Sequence, residues 1–583
     1  MAEIEKSGTV CGAVAPAGLK SASRRDVMKG LALAAVAGGL GRSVLAGAAE
    51  TGVDSGYPKI APATADTIRA ADNNPVVETA YGRIRGYVRN GIYTFKAIPY
   101  GADTSGANRF MPPQKPAAWA STRPCLYHGF VSPQAPRAGW KNNEESWLFS
   151  WDDGTQSEDC LNLNVWTRAL DNGKRPVMVW LHGGGFSAGS STELLSYDGE
   201  NLARNGDVVL VSVNHRLNVF GYLNLAAFGD KYAVSSNVGM LDIVAALEWV
   251  RDNIASFGGD PGRVTIFGQS GGGGKVTALM AMPAAQGLFH RAIVESGSLL
   301  QGGTMEGSNE LAEKLLKQVN LSAADVDKLQ QMPFEQLEAA GTEITAFHMP
   351  ASGIIDFRHM RGILGWSPVA GNAALPNQPF DPGAPTMSAG VPMIVGNTIN
   401  EFINGINRPD AFQMTADELQ HNVTMIWKDK AGDVIETFRA ALPNANNFQL
   451  WSAIGASPVR TMSLEQCRRK AALHAAPAYC YRFDWQTPVL DGRPMSFHCS
   501  ELAFVFDNAA RCENMTGNGA AAHALAAKMS QAWVHFASSG DPNHSGIPEW
   551  KPLDAATNGT MVFDDECAFR EHLDDECQKV VSD

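Results

Sequence analysis

Val264-Thr265-Ile266-Phe267-Gly268-Gln269-Ser270-Gly271-Gly272-Gly273-Gly274-Lys275 is the stretch on which the fold turns. Its first four residues are β-branched or apolar and read as a buried strand, and a helix is expected to begin after the glycines, near Lys275. Between the two, Gly268-Gln269-Ser270-Gly271-Gly272 has the G-x-S-x-G order that sets a serine on a sharp strand-to-helix turn. The glycines have a steric reason, since side chains two positions to either side of the serine would collide. The turn lifts the hydroxyl above the sheet, and the helix N-terminus behind it favours developing negative charge. A glycine-rich loop after a strand also suits phosphate, but Lys275 is followed here by Val276, which breaks the G-x-x-x-x-G-K-[ST] order.

Outward from this turn, short apolar runs at 176–181, 208–213, 292–294 and 393–395 read as further buried strands, and 241–254 has helical spacing. Continuous apolar strands separated by helices define an α/β protein with a mostly parallel central sheet flanked by helices. Two helical stretches, near 304–378 and 415–476, interrupt that rhythm and are expected to be insertions that cap the sheet. No repeat is present, so 75–583 is expected to form a single catalytic domain rather than the several that 583 residues would allow.

A serine nucleophile needs donors for the oxyanion, a base, and an acid to orient the base. His182-Gly183-Gly184-Gly185-Phe186 follows the strand ending at Leu181, and consecutive glycines let backbone N–H groups face a substrate. Chain order in this type of site is serine, acid, histidine. That leaves His348, His359, His421, His474, His498, His523, His535, His544 and His572 as bases. His498 stands out because it follows the loop Asp491-Gly492-Arg493-Pro494, and Glu401 because it comes just after the strand ending near Val395. By residue reading alone both rank first without displacing the others.

The first 48 residues differ from the rest. Six basic residues, including the pair Arg24-Arg25, precede or surround an apolar Ala/Gly-rich run at 30–40, and Ala46-Gly47-Ala48 offers a small-residue cleavage site. This order is expected of an export signal resembling the twin-arginine type, followed by a flexible lead-in at 49–74. The destination is then periplasmic or extracellular. The net charge of −13 argues against a nucleic-acid partner, which requires a basic footprint. No span of about 20 apolar residues is present to serve as a membrane anchor. Cys567, His572 and Cys577 do not have the spacing of a usual zinc site, so no metal is expected.

Taken together the motifs resemble the type-B carboxylesterase/cholinesterase family of the α/β-hydrolase fold. The resemblance runs from about Val76 to Trp550. It rests on Glu158-Asp159-Cys160-Leu161-Asn162-Leu163-Asn164-Val165, on Gly258-Gly259-Asp260-Pro261 through Ser270-Gly271-Gly272, and on supporting stretches such as Gly540-Asp541-Pro542-Asn543. It implies Ser270 as nucleophile, Glu401 as acid, His498 as base, and an oxyanion hole from Gly184, Gly185 and Gly271. It also implies a disulfide between Cys125 and Cys160. No cofactor is implied, and the expected partner is a small-molecule ester.

Four positions depart from the family pattern, one of them Gly271, where many members carry Ala. Gln269 stands where many members carry Glu, which removes an attraction for cationic esters. Phe402 replaces the usual Gly after the acid, and Cys499 replaces the Gly common after the base. Aromatic residues Trp140, Trp147, Trp151, Phe186, Trp366 and Phe402 are candidates for pocket walls that would suit an aryl or bulky alkyl ester. The same triad also serves amide, lactone and carbamate hydrolysis. Non-catalytic adhesion proteins of this fold typically lack a triad member, whereas all three are present here.

Overall fold

The computed structural model describes residues 64–582 apart from 65, 72, 137–141 and 347–364. The export segment at 1–48, the lead-in up to residue 63, Trp140, His348 and His359 therefore lie outside the described residues.

Three short strands, β1 (Val76–Thr79), β2 (Gly82–Arg85) and β5 (Arg123–Pro124), form a small sheet. Among the described residues the principal sheet has eleven strands. In chain order these are β3 (Tyr87–Arg89), β4 (Ile92–Pro99), β6 (Asn162–Thr167), β7 (Arg175–Leu181), β8 (Val209–Val213), β9 (Gly259–Gln269), β10 (Arg291–Glu295), β11 (Met393–Thr398), β12 (Ala478–Phe483), β13 (Thr560–Phe563) and β14 (Ala568–Arg570). Their spatial order is β14-β13-β12-β11-β10-β9-β7-β8-β6-β4-β3. From β8 through β13 every neighbouring pair is parallel. The pairs β8/β6, β6/β4, β4/β3 and β13/β14 are antiparallel.

Side-chain alternation explains why these strands are apolar without a polar face. Along β7 and β8, Val177, Val179, Leu181, Val209, Val211 and Val213 enter one hydrophobic cluster. Met178, Trp180 and Leu210 enter another. Helix Val238–Asn253 contributes Met240, Ile243 and Leu247 to the first cluster, and helix Ala520–Ser539 contributes Met529, Trp533 and Phe536 to the second.

Between β10 and β11 lie helices Met305–Gln318 and Phe334–Ile344, and between β11 and β12 lie Ala416–Trp427, Ala431–Ala441 and Asn447–Ala471. The latter three pack around a core of their own that includes Leu419, Val423, Val434, Phe438 and Phe448.

The structure departs from sequence expectation at the central turn. The helix begins at Gly271, so the four glycines form its first turn. Glycine is a poor helix former, but close backbone approach leaves no room for anything larger at Gly271, Gly272 and Gly273. A Cβ on Gly272 would run into the Leu181 carbonyl, and one on Gly271 into Gly185.

The Cys125–Cys160 bridge implied by the family resemblance is not present in this structure. Both are free thiols, 1% and 0% exposed, within the first hydrophobic cluster. A thiol packed in this way behaves as a small apolar side chain and requires no bridge to be accommodated. Burial pushes the Cys125 thiol up to about 12.

Candidate active site

Ser270 sits between β9 and helix Gly271–Leu279 with φ 56° and ψ −124°. This positive φ is strained for a residue with a side chain. Its N–H donates to Glu295 O at 2.8 Å, and its carbonyl accepts from Gly274 N at 3.0 Å, so the neighbouring strand β10 and the following helix fix the turn. A Cβ at Gly268 would lie 2.6 Å from Leu181 O. The glycines on either side of the serine are thus required by contact with the end of β7.

The glycine loop that follows β7 faces this turn. Gly184 and Gly185 have φ of +79° and +61°. His182 Nδ1 lies 3.0 Å from Gly183 O, and Ser187 N and Ala188 N donate to Gly184 O at 3.3 and 3.1 Å. In a trans peptide the N–H points opposite the C=O, so holding these carbonyls also orients the N–H groups of Gly184 and Gly185. Gly271, the first residue of its helix, has no carbonyl four residues earlier in the helix to accept its N–H.

Glu401 and His498 come together. Glu401 Oε2 lies 2.5 Å from His498 Nδ1. Glu401 is wholly buried, and its other oxygen accepts from Thr398 N at 3.0 Å. Its own N–H donates to Thr398 Oγ1 at 3.1 Å. The acid and base loops are joined by His498 N donating to Glu401 O at 2.9 Å and by Ser496 N donating to Asn400 Oδ1 at 3.2 Å. Phe402 packs its ring on His498 with centroids 4.0 Å apart, and Cys499 Sγ donates to Gln269 Oε1 at 3.1 Å.

Ser270 and His498 border one cavity of about 890 Å³, and no hydrogen bond joins their side chains in this structure. Trp151, Phe186, Leu299, Phe402, Val459 and Met462 are among its apolar lining. Of the other aromatic candidates, Trp147 is 48% exposed and lies outside the lining, and Trp366 is buried in the core. His572, weighed above as a metal ligand, instead bonds Asp575 through Nδ1 at 2.7 Å.

Two carboxylates beneath the site were not singled out by sequence reading. Glu295, at the end of β10, is fully buried and pushed up to about 8 by burial, against which the 2.6 Å bond from Trp533 Nε1 acts. Glu501, three residues after His498, is driven well above the carboxylate range by burial, then by Glu295 and Glu401.

A parallel-centred sheet, a serine on a strained turn, and an acid–histidine pair on the loops after β11 and β12 define an α/β hydrolase. A family model described as the carboxylesterase family matches residues 73–580, and the chain belongs to that family, the type-B carboxylesterases. It is 32% identical over 494 residues to a para-nitrobenzyl esterase of Bacillus subtilis (strain 168), covering 84% of this chain and 95% of the relative. It is 30% identical to a phenmedipham hydrolase of Pseudarthrobacter oxydans, covering 85% and 96%. Among solved structures, an esterase from Clostridium hathewayi that can hydrolyze aliphatic aromatic polyesters superposes with a TM-score of 0.75 at 35% identity, covering 88% of this chain and 99% of that one. The protein is a carboxylic ester hydrolase.

Proposed function

We propose that the protein is an exported serine carboxylesterase acting through an acyl-enzyme. Neutral His498 takes the proton of Ser270 as its Oγ attacks the ester carbonyl. The N–H groups of Gly184, Gly185 and Gly271 receive the oxyanion, and protonated His498 then gives its proton to the leaving alcohol. Water, activated by the same histidine, frees the acid from Ser270. Glu401 holds the imidazole with Nδ1 protonated and stabilises its charge. The observation that carries this reading is the 2.5 Å contact between Glu401 and His498 on the cavity that Ser270 also borders.

The apolar, aromatic lining supports an aryl or bulky alkyl ester as substrate. Residues 304–378 and 415–476 are read as insertions into one domain spanning 75–583, the second of which supplies Val459 and Met462 to the cavity wall. Export rests on Arg24-Arg25 and the apolar run behind it.

The test is Ser270→Ala against a panel of esters varying in acyl length and leaving group, together with titration by an organophosphonate. The unmodified enzyme should bind one phosphonate per chain and the variant none, with turnover reduced at least about 10⁴-fold. Full turnover in the variant would overturn the reading. Replacing Arg24-Arg25 by two lysines should retain the protein inside the cell, and unchanged export would remove that part of the proposal.

A further inference from the structure

Lys275 is wholly buried, five residues after Ser270 on the helix behind the turn. A buried ammonium is costly unless its donors are satisfied. Lys275 Nζ donates to His182 O at 2.8 Å and to Gly185 O at 3.0 Å, and lies 5.6 Å from the centroid of the Phe186 ring. These two carbonyls bracket the glycine loop. The carbonyls between them are held by other partners, Gly183 O by His182 Nδ1 and Gly184 O by Ser187 N and Ala188 N. Four successive peptide planes are therefore fixed, and Lys275 secures the outer two.

We infer that Lys275 is a positioning residue of the oxyanion hole: it locks the peptide planes on either side of Gly184 and Gly185 and sets a fixed positive charge behind the donors. The inference rests on the serine-esterase reading above. Preorganised donors stabilise a transition state because they need no reorganisation when charge develops, and a loop of glycines has no other intrinsic stiffness. The charge of Lys275 is felt nearby. His215, whose ring stacks on His182 with centroids 4.9 Å apart, is driven well below the usual histidine range by burial and then by Lys275.

Lys275→Met removes the charge and both hydrogen bonds while keeping length, and Lys275→Gln keeps a neutral donor. Both are measured per site titrated by an organophosphonate. In Lys275→Met, kcat should fall about 10- to 100-fold with KM within about threefold. Affinity for a trifluoromethyl ketone, which forms an oxyanionic adduct on serine, should fall by the same factor as kcat/KM. Affinity for an uncharged, unreactive ester analogue should stay unchanged, and Lys275→Gln should lie between Met and Lys. A kcat within about threefold in Lys275→Met, or a change confined to KM, overturns the inference. So does absence of folded protein in both variants, which would make Lys275 purely structural. Failure of the underlying reading is distinct, because the unmodified enzyme would then not be titrated by phosphonate at all.

Discussion

Gln269 places its amide nitrogen 3.2 Å from Nε2 and 3.3 Å from Nδ1 of His498. Near-equal distances to both ring nitrogens are possible only over the face of the imidazole, since an in-plane position would collide with ring carbons. A neutral amide therefore lies against the ring that the proposed mechanism charges during turnover. Gln269→Glu would put a carboxylate there, and an opposite charge at this range favours the protonated ring. With the neutral ring as base in the proposed mechanism, the acidic limb of the kcat/KM profile should move to higher pH by about one to three units. An unmoved limb would show that residue 269 does not act on His498.

Glu401→Gln keeps the shape of the acid and an oxygen able to accept from Thr398 N. Its amide would present N–H to Nδ1, favouring the tautomer that cannot take a proton from Ser270. The expected loss in kcat is about 10²- to 10⁴-fold, with unchanged thermal unfolding. Loss of stability in step with activity would instead mark Glu401 as a structural residue.

Burial holds the Glu295 carboxyl at about 8, compared with 4.5 for an exposed one. Between these values the folded protein keeps a proton that the unfolded chain releases. The contribution of this group to stability is thus complete below pH 4.5 and lost as pH rises towards 8, at about 1.4 kcal/mol per unit. Glu295→Gln removes the titration. The stability of the unmodified enzyme relative to this variant, measured by thermal unfolding from pH 5 to 8, should therefore fall as pH rises. A constant difference would refute the assignment.

Gly272→Ala should abolish folded protein or cost more than about 4 kcal/mol, because its Cβ would meet the Leu181 carbonyl, which belongs to the central sheet. Gly432→Ala, on helix Ala431–Ala441 with nothing within 4 Å of the added atom, should stabilise by about 0.5–1 kcal/mol. Denaturant unfolding of the pair separates loss of conformational space from steric collision.

What the sequence disclosed follows the range of the forces involved. The buried strands and the serine turn were legible because each is dictated locally, by continuous apolar runs and by glycines at fixed offsets. Glu401 and His498 ranked first by residues alone, but nothing local displaced the other candidates. They hang on irregular loops, where Glu401 and Cys499 adopt φ of 44° and 77°, and only the parallel pairing of β11 with β12 brings them together. Trp147 and Trp366 failed as pocket residues because aromatic content does not distinguish a cavity wall from a core or a surface. The helical first turn at Gly271–Gly274 ran against propensity, and tertiary contact overruled it. Lys275 had been weighed only as part of a phosphate loop, since its carbonyl partners lie about 90 positions earlier in the chain.

The glycine floor of the cavity also limits how this enzyme can diverge. At Gly268, Gly271, Gly272 and Gly297 the atoms that exclude a Cβ are mainly main-chain atoms, which mutation does not alter. No compensating substitution elsewhere can make space there. Heritable variation in substrate range is therefore channelled to the rim, above all to the helical segments between β10 and β12, where side chains such as Val459 and Met462 can be exchanged one at a time.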